Sequence, residues 1–122
     1  MNWTYHQSTG QLFHGSNLVG AGYSGHPPSG KNNPDMQDVP NVGPIPRGGY
    51  TIGAPHNTET HGPFVMSLTP NAENEMHGRT GFLIHGDSIA HPGFASEGCI
   101  IMSAEIRHNI WDSGDRRLIV VR

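Results

Sequence analysis

The only cysteine of the chain, Cys99, follows a histidine, His85, by fourteen residues. A single thiol cannot form a disulfide within the chain, but a thiolate is a strong nucleophile and an imidazole can accept its proton. An apolar run, Phe82–Ile84, leads into His85, and Gly98 provides a turn into Cys99. This pattern predicts a nucleophile and base for acyl transfer through a thioester. The alternative is that Cys99 is a packed small hydrophobe, because free cysteines are often buried.

Neighbouring residues are candidates for assisting this pair. Glycines let backbone N–H groups turn toward a developing oxyanion, so we expect Gly98 on the oxyanion side of the site. Ser96 is either a further donor there or a turn hydroxyl. Asp87 is either the third member of a triad, orienting His85, or a turn residue that bonds its own backbone.

Two further side chains are candidates for contacting a substrate. His91 precedes Pro92 and is predicted to lie on a connecting loop, where it is a second candidate base and a substrate contact. Arg107, on a predicted short helix, would suit the carboxylate of a peptide, although a solvated cation is the simpler interpretation.

A zinc site is the main chemical alternative. Zinc binds nitrogen, sulfur and oxygen ligands, which His85, Asp87, His91 and Cys99 could supply. Their spacing matches no common ligand pattern such as H-x-x-x-H or C-x-x-C. We therefore expect no metal and no cofactor.

Charge and hydropathy exclude several classes of partner. The formal net charge is −3 with no basic stripe, which argues against nucleic-acid binding. No apolar stretch approaches the length of a membrane span, so we expect no membrane insertion. The first residues, Met1–Gln7, lack the basic start and apolar middle of a secretory signal, which predicts synthesis in the cytoplasm without a signal peptide.

Short apolar runs between Gly- and Pro-rich turns predict a mostly β fold, in one domain spanning residues 1–122. A short helix is expected over Ala104–Trp111, with Ser103 as its N-cap and Gly114 as its stop. Residues 24–43 have almost no apolar periodicity and are predicted to form a long surface loop near the site. The predicted strands are Trp3–His6, Gln11–His14, Asn17–Tyr23, a strand ending at Ile52, Pro63–Thr69, Gly81–His85 and Arg117–Val121.

These motifs carry a family resemblance. The segment running from Ile84-His85-Gly86 to Ser96-Glu97-Gly98-Cys99-Ile100 resembles the active-site signature of L,D-transpeptidase catalytic domains, a His-Gly followed by Ser/Thr-His-Gly-Cys. The stretch Gly43–Ile52 looks like that family's Thr-Pro-x-Gly-x-Tyr/Phe-x-Ile strand. Two further stretches, Thr4–Gly10 and Gly22–Pro34, are similar to the L,D-transpeptidase-like effectors that type VI secretion systems deliver.

The resemblance implies a compact β-sandwich or barrel with one or two short helices. It implies Cys99 as nucleophile, His85 as base, and Ser96 with the Gly98–Cys99 backbone as oxyanion-side elements. Tyr23, within the effector-like stretch, is expected to contact the substrate. Two positions depart from the larger family: Glu97 stands in place of a second histidine, and Ile101 in place of an arginine.

For the effector branch, the implied activity is removal of the terminal D-Ala from a tetrapeptide stem of peptidoglycan, giving a tripeptide, or its exchange for another D-amino acid. The implied partners are the stem peptide, a secretion apparatus and a cognate periplasmic immunity protein. The implied place of action is the periplasm of target bacteria. The alternatives are a non-catalytic wall-binding or secretion-apparatus module and a zinc-dependent peptidoglycan hydrolase.

Overall fold

The computed structural model describes all 122 residues and confirms the mostly β fold. The chain forms ten strands, one helix, α1 (Ala104–Asp112), and one short 3-10 helix (Pro34–Met36). Three short strands, β4, β6 and β9, are not among the strands predicted from the sequence. The strands are β1 (Trp3–His6), β2 (Gln11–His14), β3 (Asn17–Ala21), β4 (Tyr23–Ser24), β5 (Gly48–Ile52), β6 (His56–Thr58), β7 (Gly62–Pro70), β8 (Leu83–His85), β9 (Ile100–Ile101) and β10 (Arg117–Val121).

The strands form one nearly closed, barrel-like sheet with the order β3-β2-β1-β10-β5-β7-β8-β9-β4, and β6 pairs with β7. The two ends of this order, β3 and β4, are consecutive in the chain and separated by Gly22 alone. A Cβ at Gly22 would lie 1.7 Å from the carbonyl oxygen of Ile101. Only glycine therefore allows the chain to pass this closely from one end of the sheet to the other.

Alternation along the strands builds the core. In β1, Trp3 and Tyr5 are buried while the residues between and after them are partly exposed. The same period of two places Ile84 of β8 and Ile100 of β9 in a cluster of fifteen buried apolar residues. Because this face of β8 and β9 packs into the core, the opposite face is the one available to line a pocket.

Helix α1 forms where the sequence predicts it, one residue longer at its end. The Ser103 hydroxyl accepts a hydrogen bond from the Ile106 amide at 3.2 Å, which satisfies one of the free N–H groups at the helix start. Ile110 is buried in the core, and Gly114 follows the helix with a positive φ of 79°. No helix in the molecule is long and apolar enough to cross a membrane.

The predicted loop at 24–43 is not structureless. It contains the 3-10 helix Pro34–Met36, and the fully buried Gln7 holds the segment that follows by donating to the Ile45 carbonyl at 2.8 Å and to the Gln37 side chain at 3.0 Å. Backbone groups that cannot pair in a sheet are satisfied by buried polar side chains instead. This is a contact between residues distant in sequence, which a local hydropathy pattern does not reveal.

Candidate active site

Cys99 and His85 lie on the same face of two neighbouring parallel strands. β8 and β9 pair with Ile84 opposite Ile100, and both isoleucines point into the core. Because side chains alternate along a strand, His85 and Cys99 both point to the opposite face. Cys99 immediately precedes β9, and the register places it opposite Leu83, two residues before His85 on β8. Both residues line one pocket of about 330 Å³.

The protonation of His85 is set by its own neighbour. Its Nδ1 lies 2.8 Å from the Gly86 carbonyl oxygen, which can only accept, so Nδ1 carries the hydrogen. The other ring nitrogen, Nε2, is then left as a proton acceptor. His85 is 3% exposed, and burial lowers the pKa of its imidazole, with a smaller lowering from the charge of His61.

The Cys99 side chain is partly buried and lines the pocket. Burial raises its pKa, and the nearby carboxylate of Glu97 adds to the increase. The guanidinium of Arg79 and a backbone hydrogen bond from Leu83 act in the opposite direction. The net effects on both groups favour a neutral thiol beside a neutral imidazole over a thiolate–imidazolium pair.

Ser96 holds the turn that carries Cys99. Its side chain is fully buried, donates to the Cys99 carbonyl at 2.6 Å, and accepts from the amides of Gly98 and Gly25 at 3.0 and 2.9 Å. The hydroxyl does not line the Cys99 pocket. The sequence left two roles open for Ser96, an oxyanion donor and a turn hydroxyl. Its contacts in the structure are those of a turn hydroxyl.

Gly98 also serves the backbone conformation. Its φ is +143°, and a Cβ here would lie 2.5 Å from Nη2 of Arg79, so no other residue fits. Its N–H is bonded to Ser96 and its carbonyl accepts from Ser24 at 2.8 Å. The Cys99 amide, by contrast, has no hydrogen-bond partner in the chain. Of the Gly98–Cys99 backbone, only the Cys99 N–H is free for an oxyanion.

Arg79 joins the long loop to the Cys99 turn. Its Nη1 donates to the carbonyls of Gln37 and Pro44, both at 2.7 Å, and its Nη2 to those of Gly43 and Glu97 at 2.9 and 3.1 Å. The side chain is 7% exposed and lines the Cys99 pocket. Four strong charge-assisted bonds fix both segments around the thiol.

Asp87 does not orient His85, which corrects the triad expectation. Its carboxylate accepts from Tyr23 Oη at 2.5 Å and from the amides of Ser88 and Gly93. Burial by itself would raise the pKa of Asp87, but these hydrogen bonds lower it overall. The Gly86 carbonyl takes the orienting role instead, because Asp87 follows the strand into a turn and pairs there with local donors.

Tyr23 is placed with Asp87 and not at the Cys99 pocket. Its hydroxyl donates to Asp87 and accepts from the Ala95 amide at 3.0 Å, and its ring lies under the Lys31 ammonium. Burial, together with the hydrogen bond to Asp87, raises the pKa of Tyr23 to about 12. The pair ties the two ends of the loop 86–95, so Tyr23 supports this loop and does not reach the thiol.

A second groove, of about 820 Å³, adjoins the Cys99 pocket at His61 and His85. His91 and Arg107, both predicted substrate contacts, line this groove and not the thiol pocket. His91 is exposed, whereas Arg107 is 6% exposed. The structure contains no group of three or more His, Cys, Asp or Glu side chains placed to hold a metal ion.

Two pocket residues were missed from the sequence. His61, in the β6–β7 turn, lies with its ring centroid 4.5 Å from that of His85, and Arg79 comes from the connection between β7 and β8. The chain has nine histidines and seven lysines and arginines, and nothing local distinguishes these two from the others.

Comparisons with known proteins agree with part of the resemblance. The family model described as the Tlde1 domain matches residues 19–120, which is most of the chain and includes Cys99, His85, His61 and Arg79. No curated protein and no solved structure matches the chain.

Proposed function

Because this chain belongs to the Tlde1 domain family, a family of type VI secretion effectors, we propose that it attacks peptidoglycan stem peptides by cysteine acyl transfer. The observation that carries this proposal is that Cys99 and His85 line one pocket, beside the paired strands β8 and β9. The substrate would be a tetrapeptide stem, and the bond attacked would be the one before its terminal D-Ala.

The neutral resting pair determines how the attack begins. Since burial raises the pKa of Cys99 and lowers that of His85, the thiol gives its proton to Nε2 as sulfur bonds to the substrate carbonyl carbon. The free Cys99 N–H is the available donor for the oxyanion. The imidazolium formed in this step is the acid needed next.

The remaining steps return the enzyme to its starting state. The carbon–nitrogen bond to D-Ala breaks, and His85 protonates the leaving amine, which leaves a thioester on Cys99. His85 then takes a proton from water, whose oxygen bonds to the thioester carbon as the sulfur leaves and regains that proton. The product is a tripeptide stem. If the amine of a D-amino acid attacks in place of water, the product is an exchanged stem.

Incubation with purified tetrapeptide muropeptides tests the proposal. We expect loss of D-Ala, exchanged stems when another D-amino acid is added, and a thioester adduct on the intact protein by mass spectrometry. Cys99→Ala should fold normally, with no product and no adduct. A protein that yields neither product nor adduct contradicts the proposal, as does a Cys99→Ala variant that retains turnover. A wall-binding module would keep its cellular effect after this substitution.

We further propose the periplasm of a target bacterium as the place of action, since stem peptides are found there. A cognate periplasmic immunity protein would then protect sibling cells by covering the Cys99 pocket and the loop residues Pro40 and Asn41 that line it. Expression in a bacterium with and without a periplasmic export signal tests this. Growth arrest should need both export and Cys99, and toxicity of the unexported protein would contradict the proposal.

A further inference from the structure

The guanidinium of Arg107 is buried with almost no partner. Arg107 lies on α1 and is 6% exposed, and its Nε is fully buried without a hydrogen bond. Its single hydrogen bond runs from Nη1 to the Pro63 carbonyl at 3.5 Å, the long limit for such a bond, and it takes part in no ion pair. A buried charge in this state is costly unless a ligand completes it.

The position of this cation is fixed against the residue that follows the proposed base. A Cβ at Gly86 would lie 3.0 Å from Nη1 and 3.1 Å from Nη2 of Arg107, so the guanidinium packs directly on the Gly86 backbone. Arg107, His85 and His61 line the same groove of about 820 Å³. Asp87, the acidic residue of this groove, already accepts bonds from Tyr23, Ser88 and Gly93.

The proposed reaction at His85 indicates which group of the substrate would lie next to the Arg107 guanidinium. In the proposed reaction His85 protonates the leaving amine. His85 lines both the thiol pocket and the adjoining groove, so the groove is open to the residue that leaves. In a terminal amino acid the amine and the α-carboxylate are attached to the same carbon. A cation next to His85 is therefore placed for that carboxylate, which suits the planar guanidinium fork.

We propose that Arg107 binds the free α-carboxylate of the terminal D-residue, so that the protein cleaves only the last peptide bond of a stem. This inference rests on the proposed function, and it adds a reason why the protein would select the end of the peptide. The carboxylate keeps its charge throughout and leaves with the D-amino acid. In exchange, the incoming D-amino acid binds its carboxylate at the same position before its amine attacks the thioester.

Peptide binding to the Cys99→Ala protein tests this without requiring turnover. The probes are a stem tetrapeptide with a free C-terminal carboxylate and the same peptide ending in D-alaninamide. We expect the free acid to bind about 30-fold tighter or better, as a buried charge-assisted pair warrants. In Cys99→Ala/Arg107→Met the two affinities should agree within about threefold, since methionine fills the volume without the charge. Arg107→Lys should retain part of the preference.

The matched control is Arg122→Met in the same Cys99→Ala background, which removes an exposed arginine that pairs with Asp35 and does not line the groove. It should leave the preference unchanged. Equal affinity for acid and amide, no binding of either, or a preference that survives Arg107→Met would each overturn the inference. If the acid is preferred through Arg107 but the wild-type protein yields no product, the proposed reaction fails while the carboxylate site stands.

Discussion

Two buried arginines line the two cavities that meet at His85, and they differ in how they are hydrogen-bonded. Arg79 gives four hydrogen bonds of 2.7 to 3.1 Å to backbone carbonyls around the Cys99 pocket. Arg107 gives one bond of 3.5 Å in the adjoining groove. Burial lowers the pKa of both guanidinium groups. The difference shows that the arginine on the thiol side is fully bonded within the chain, whereas the arginine on the groove side has no comparable partner there.

The largest effect should come from Arg79→Met. It leaves four buried or partly buried carbonyls without a donor, which we expect to lower the free energy of unfolding by about 4 kcal/mol. Chemical denaturation measures this, with Arg122→Met as the exposed control that changes stability by less than about 0.5 kcal/mol. An Arg79→Met protein as stable as the control would remove the contrast between the two arginines.

Ser96→Ala should have the next largest effect on stability. The change removes one buried donor and leaves two buried amides, of Gly25 and Gly98, without an acceptor. We expect a loss of about 3 kcal/mol and slower acylation of Cys99, because the turn no longer holds the thiol in place. Ser29→Ala, on the exposed part of the long loop, is the control. If Ser96→Ala kept full stability and only slowed the reaction, the Ser96 hydroxyl would instead have a direct role in the chemistry.

Tyr23→Phe tests the loop 86–95, which borders the groove. Loss of the bonds to Asp87 and from Ala95 should cost about 2 kcal/mol and increase amide hydrogen exchange in this loop. The matched control is Tyr5→Phe, because the Tyr5 hydroxyl is buried without a partner and its removal should cost nothing. Equal destabilisation by the two changes would show that Tyr23 does not anchor the loop.

A smaller effect is expected from pH on His85. Its pKa in the folded protein is lowered, mainly by burial, so the unfolded chain binds a proton more readily. The contribution of His85 to stability should therefore be fully present above about pH 6.5, the ordinary pKa of a histidine. It should fall as the pH decreases toward the pKa of His85 in the folded protein. His85→Gln should flatten this part of the profile, and the exposed control His56→Gln should not. A profile unchanged by His85→Gln contradicts a buried neutral imidazole.

The smallest expected effect on stability is that of Arg107→Met. Because the guanidinium is unpaired, its replacement by an apolar side chain of similar length should leave the unfolding free energy unchanged or raise it by about 1 kcal/mol. Chemical denaturation of the Arg107→Met and Arg79→Met proteins under the same conditions compares their unfolding free energies directly. A loss as large as that of Arg79→Met would show that Arg107 supports the fold and is not held for a ligand.

Local patterns were enough to predict most of the fold. Alternation in Trp3–His6, the apolar run before His85 and the Ser103 cap each act within a few residues, and the structure contains the elements they predict. The helix Ala104–Asp112 differs from the prediction by one residue. The loop at 24–43 was predicted as a loop, but its ordered conformation could not be, because Gln7 and Arg79 organise it from distant parts of the chain.

The sequence by itself determined that one thiol follows one strand-end histidine, with glycine turns that limit how the backbone can run between them. Residue types and local conformational preferences are sufficient for this. Only the tertiary structure decided the surroundings of the pair: Gly86 and not Asp87 orients His85, Ser96 serves the turn, and His61 and Arg79 enter from other segments. Such contacts depend on which strands pair and how the sheet closes, and spacing along the chain does not encode either.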